Sequence, residues 1–171
     1  MTAFVAMLRA INVAGTGKLA MSDLQGIGEA CGFHQVRTFI ASGNLLFLSR
    51  KSEGALKSLL QDRIKVHMGR EIKVMVRTGE EMAKVTEANP FADQPGNRVV
   101  AVFLDDAPPK GFADHAKHAA NERMAPGTRE IYVHYPDGQG SSKLQIPAAA
   151  SGTARNMNSV AKLAELAKER S

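Results

Sequence analysis

At 171 residues, with 44% hydrophobic and 23% charged side chains, the chain is long enough to bury its own core and too apolar to be disordered. No run approaches the roughly 20 apolar residues that cross a bilayer, so no membrane partner is expected, and the single cysteine, Cys31, excludes an internal disulfide and suits a reducing, cytoplasmic setting. The formal charge of +5 is uneven, with 11 Lys and Arg against 5 Asp and Glu in residues 1–78 but 11 against 12 in residues 79–171; a basic half can attract phosphate-rich partners or simply be a solvated basic surface that aids solubility.

Residues 3–11 read as a buried strand, with Phe4, Val5, Met7, Leu8 and Ile11 and little polarity. The apolar start has no basic leader and no clear cleavage site, so it reads as a strand rather than a signal peptide. A glycine-bearing loop runs from Asn12 to Ala20. Ser22 is placed to cap a helix over about 23–31, and Gly32 to stop it. Residues 35–41 and 44–49 read as two strands joined through Ser42-Gly43-Asn44, whose glycine and asparagine tolerate positive φ. Ser52 can start the next helix, along which Leu56, Leu59, Leu60, Ile64 and Met68 form one stripe. Ile72, Val74 and Val76 then alternate with Lys73, Met75 and Arg77 as in a strand. The order is β-α-β-β-α-β, the ferredoxin-like or α-β plait pattern.

Thr78 and Glu81 have capping-box spacing, which predicts a helix to about Ala88, ended by Asn89-Pro90. Residues 98–104 read as a strong buried strand, 111–124 as a helix, 129–135 and about 143–147 as strands, and the segment from Asn156 as a closing helix with Val160, Leu163, Leu166 and Ala167 on one face. This gives α-β-α-β-β-α, an incomplete second plait. The predicted fold class is therefore α+β, with a basic ferredoxin-like subdomain over 1–78 and a second plait-like one over 79–171.

Four clusters are candidates for chemistry. Gly15-Thr16-Gly17-Lys18 lies between a strand and a helix, but a Walker loop needs glycine where Asn12 stands and Ser or Thr where Leu19 stands, so only a looser anion contact through Lys18 remains beside a plain structural loop. Cys31 and His34 have no second pair to complete a zinc site, which leaves a core cysteine or a Cys-His pair. His115, His118 and Glu122 recur at helical spacing, as three ligands or as one face of a solvated helix; no metal and no cofactor are expected. Gly138, Lys143 and Thr153-Ala154-Arg155-Asn156 precede the last helix, where free N–H groups favour an anion or the same groups brace and cap the chain. Leu45-Leu46-Phe47-Leu48 lacks the stacking aromatics of an RNA-recognition motif, which excludes that identity.

Met7-Leu8-Arg9-Ala10-Ile11-Asn12-Val13, Val36 to Phe47, Asn89-Pro90-Phe91, Tyr135-Pro136-Asp137-Gly138, Ser142-Lys143-Leu144 and Thr153-Ala154-Arg155-Asn156 through Lys162-Leu163 resemble, in order, the motifs of the bacterial domain-of-unknown-function 1697 family. The resemblance implies two α-β plait subdomains and supplies no activity. It points to Arg9, Asn12, Lys18, Ser42, Asn44, Asn89, Asp137, Lys143, Arg155, Asn156 and Lys162 as motif positions. It also implies tryptophan where Met157 stands and threonine where Ser159 stands. The expected function is binding of an anionic ligand, a phosphate-containing small molecule or a nucleic-acid backbone, in a cleft between the halves through Arg9, Asn12, Lys18, Ser42, Asn44, Lys143, Arg155 and Asn156. The rival readings are an enzyme acting on a small anion there, and an interaction module whose polar motifs only brace the fold.

Overall fold

A computed structural model describes residues 1–9, 18–40 and 42–170; Asn12 and Gly15-Thr16-Gly17 lie outside the described residues. The chain divides into two units, Met1–Ala83 with Leu163–Ser171, and Lys84–Lys162. Each contains a four-stranded antiparallel sheet with helical segments, and the fold is α+β.

In the first unit, strand β1 (Thr2–Leu8) is apolar on both faces from Phe4 onward, which suits only a central strand. It pairs with β3 (Asn44–Ser49) on one side and β4 (Val74–Thr78) on the other, and β2 (His34–Thr38) lies outside β3, giving the order β2-β3-β1-β4. Helix α1 (Met21–Ala30) starts ahead of the expected Ser22 cap: Ala20 holds the extended N-cap position with no side-chain bond, and Ser22 lies in the first turn. Burial of Leu19 in the core anchors the chain at this point, so no cap is needed to hold the entry. Helix α2 (Glu53–Met68) begins as expected, with Ser52 Oγ accepting from the Ala55 N–H at 3.3 Å, and ends at left-handed Gly69. Leu24, Leu56, Leu60 and Ile64 cover Phe4, Ala6, Leu8, Leu45, Phe47, Val74 and Val76. Each such buried side chain is worth about 1.5–3 kcal/mol. Helix α1 approaches so closely that a Cβ at Gly28 would sit 3.0 Å from Val36 Cγ1.

Thr78 and Glu81 form the predicted capping box, Thr78 N–H to Glu81 Oε1 at 2.9 Å and Glu81 N–H to Thr78 Oγ1 at 3.1 Å, and open helix α3 (Gly79–Glu87). The second unit's sheet has β5 (Val99–Phe103), β6 (Arg123–Pro126), β7 (Glu130–His134) and β8 (Thr153–Asn156) in the order β6-β7-β5-β8. Helix α4 (Met157–Lys168) follows β8 directly.

Three expectations for this unit are corrected. Residues 111–124 form a 3-10 turn at Phe112–His115 and then β6, not a helix. Phe112 is their one large aromatic or aliphatic side chain before Met124, so a helix here would have no apolar stripe to bury. His115, His118 and Glu122 therefore do not share a helix face. The strand expected over 143–147 reduces to one bridge, Lys117 to Gln145. Thr153–Asn156, expected only to lead into the closing helix, is strand β8, paired along β5 from Phe103↔Thr153 to Val100↔Asn156.

Candidate functional site

The first sheet's topology gathers several polar motif residues at one end. Met7 pairs with Asn44 and Leu8 with Val74, so β1 leaves the sheet where β3 and β4 enter it. The Leu8 N–H donates to Gly43 O at 2.9 Å, and the Arg9 N–H to Lys73 O at 3.0 Å. Gly43 has a φ of 87°, the conformation that the Ser42-Gly43-Asn44 link predicts. Asn44 is fully buried; its Nδ2 donates to Phe39 O at 2.9 Å and Ser42 Oγ at 3.1 Å, which locks the turn beside Arg9. Asn44 and Ser42 thus build the end of the sheet, and Arg9 and Lys73 charge it.

Lys18 stands three residues before helix α1. Asp23 in the first turn of α1 lies 3.6 Å from His67 in the last turn of α2, and α2 leads through Gly69 and Arg70 to Lys73. Arg9, Lys18 and Lys73 are exposed. Glu71, the acid nearest in sequence, is engaged by Lys65 at 3.4 Å. Nη2 of Arg70 is enclosed and has no hydrogen-bond partner among the described residues. Lys73 reads in the sequence only as a strand residue, and Arg70 carries no motif; the signal that finds Lys73 is the antiparallel register, which sets it opposite Arg9.

The family model for "Protein of unknown function (DUF1697)" matches residues 1–132. The chain belongs to this family. No curated protein matches the chain. The solved structure of conserved bacterial protein SP0830 from Streptococcus pneumoniae is similar to it with a TM-score of 0.76 at 20% identity, over 97% of this chain and 98% of that one. That likeness concerns the fold.

The remaining motif positions of this family member lie in the second unit, and the structure does not bring them to one point. Lys143 is exposed and lines a hollow of about 350 Å³ with Asp137 and Gly138. Arg155 is 7% exposed on β8, opposite Ala101 of β5, and its Nη1 donates to Ala154 O at 2.9 Å. Burial pulls its guanidinium down to about 10, because desolvation penalises the cation. Arg155 is a sheet residue turned inward, outside the residues that line the Lys143 hollow. Asn156 caps α4, its Oδ1 accepting from the Ser159 N–H at 2.9 Å, and Asn89 Oδ1 takes the Phe91 N–H at 2.9 Å. Met157 is buried, so the position that the family resemblance assigns to tryptophan holds a core side chain here.

Proposed function

We propose that this protein binds an anionic ligand, a phosphate-bearing molecule or nucleic-acid backbone, at the end of the first sheet where Arg9 and Lys73 are cross-strand neighbours, with Lys18 as a further cation of the same unit. The observation that carries the reading is the Arg9-to-Lys73 backbone bond at 3.0 Å, which makes two exposed cations cross-strand neighbours. The enclosed Arg70 Nη2 adds an unmet donor at the same end. The strand order of both units, with the first strand between the third and the fourth, supports a ferredoxin-like plait for each. The lone Cys31 supports a reducing, cytoplasmic setting.

The test is titration of the full chain with pyrophosphate and with a single-stranded oligonucleotide across a salt series. Backbone binding should weaken linearly in log–log form as salt rises. The double substitution Arg9→Ala with Lys73→Ala leaves the backbone bond in place and is expected to weaken binding about tenfold or more, the effect of losing charge-assisted contacts. Equal affinity in that variant, or no affinity for either probe at low salt, removes the proposal.

A further inference from the structure

The hollow in the second unit has a character of its own. Its walls come from residues 118–122 and 135–143, and three ties hold them together. Lys117 and Gln145 exchange backbone hydrogen bonds at 2.8 and 2.9 Å. Asn121 Nδ2 donates to Asp137 Oδ2 at 2.9 Å. Glu122 accepts from the Ala120 N–H at 2.7 Å and from the Ser142 hydroxyl. These bonds, Ser142 first, hold the Glu122 carboxyl below its usual range, so it is an anion at neutral pH.

Two donors face those carboxylates with no partner of their own. Tyr135 is 9% exposed, with its ring in the core cluster, and its hydroxyl makes no hydrogen bond among the described residues. Burial, and then the charge of Glu122, push this phenol above its ordinary value, so it keeps its proton as a donor. Lys143 likewise has no ion pair among the described residues. A hydroxyl with no partner in the protein, on a ring fixed in the core and opening on a hollow, is a group that a ligand can satisfy. No three His, Cys, Asp or Glu side chains among the described residues converge as metal ligands.

We propose that this hollow binds a small zwitterion, whose anionic oxygens meet Lys143 and the Tyr135 hydroxyl and whose ammonium meets Asp137 and Glu122. Two acids against one lysine give the hollow an excess of negative charge, which disfavours a simple anion. A ligand carrying both charges satisfies both sets. The volume of about 350 Å³ has room for a molecule of amino-acid size. Nothing in this site depends on the cations of the first unit.

The probes are phosphoethanolamine, inorganic phosphate and ethylammonium, each titrated calorimetrically into the full chain. Phosphoethanolamine should bind about tenfold more tightly than either fragment ion, since each fragment forgoes one set of charge-assisted bonds. Lys143→Ala and Tyr135→Phe should each weaken it about fivefold or more, and the phenylalanine keeps the core ring so that folding is preserved. Arg9→Ala with Lys73→Ala should leave this titration unchanged, which separates it from the anion site of the first unit. Phosphate binding as tightly as phosphoethanolamine, unchanged affinity in both hollow variants, or no binding by any probe overturns the assignment.

Discussion

The two sheets share one strand order and differ in what covers them. In the first, α1 and α2 lay Leu24, Leu56, Leu60 and Ile64 over the strands. In the second, the cover is Phe112, Leu144, Ile146, Ala148 and Ala149, carried on 3-10 turns and loops. The opposite faces diverge as well. In the first sheet this face presents Val5, Met7, Leu46 and Met75, with Asn44 and Arg77 as its buried polar members. The second presents Val99, Ala101 and Phe103 with Glu130, Tyr132, His134, Thr153 and Arg155 beside them, all buried. Nδ1 of His134 and Oγ1 of Thr153 have no hydrogen-bond partner among the described residues, at a cost of about 1–3 kcal/mol each. The comparison teaches that strand order survives the loss of covering helices. What changes is the division of labour: the helix-covered sheet is held by apolar packing, while the loop-covered one devotes chain length to polar groups and to the hollow.

If that contrast is right, equal truncations should cost unequally. Leu60→Ala removes a fully buried helix side chain and should destabilise by about 3 kcal/mol, read from urea unfolding. Ile146→Ala, on a partly buried loop residue, should cost about 1 kcal/mol because the surrounding segment can collapse into the gap. Matching losses would mean that the loop cover is packed as firmly as the helices. A finer comparison uses two glycines. A Cβ at Gly152 would fall 2.5 Å from Val102 Cγ1 and 2.9 Å from Phe103 O, so Gly152→Ala forces the loop off β5 and should cost about 2 kcal/mol. At Gly28 the nearest groups are side-chain methyls at 3.0 and 3.1 Å, and the gain of about 1 kcal/mol in helix propensity offsets the squeeze. Gly28→Ala should therefore leave the urea midpoint nearly unmoved.

The same contrast explains what could be read from the sequence. The first sheet was legible because its signals are local and periodic: the α2 stripe, the Ser52 cap and the alternation from Ile72 to Arg77 each specify one element. The Thr78–Glu81 box was legible for the same reason. Strand β8 was not, because Thr-Ala-Arg-Asn has no apolar alternation and becomes a strand only by pairing with distant β5. Arg155 accordingly read as a loop cation when it is an inward sheet residue. The segment over 111–124 misled because its histidines resemble a helix face, whereas its core contacts are Phe112 and Met124, on a 3-10 turn and on β6. Convergence of Arg9, Ser42 and Asn44 follows from strand order and was implicit in the β-α-β-β-α-β pattern. The hollow was not, because it joins residues 118–122 and 135–143 through side-chain bonds that no period encodes.

The most selective probe is optical, since both tyrosines of the chain, Tyr132 and Tyr135, lie in the second unit. Tyr132 donates to Val85 O at 2.7 Å, and burial, with the charge of Glu130 adding, pushes its phenol up to about 12. Tyr135 is raised in the same direction. In the unfolded chain both ionise near pH 10 or so. Between those values the folded state holds protons that the unfolded state has lost. The stabilisation from Tyr132 is thus complete below about pH 10 and is lost as pH rises toward 12. Phenolate absorbance should therefore lag in the native protein and appear together in urea, reporting on the second unit while the first stays silent. Tyr132→Phe should cost about 1 kcal/mol at neutral pH, through the lost bond to Val85, and make the alkaline fall in stability shallower. Native phenolate appearing in full near pH 10 would mean that water already reaches the polar face of the second sheet, and the two sheets would then differ in solvation rather than in the kind of group they bury.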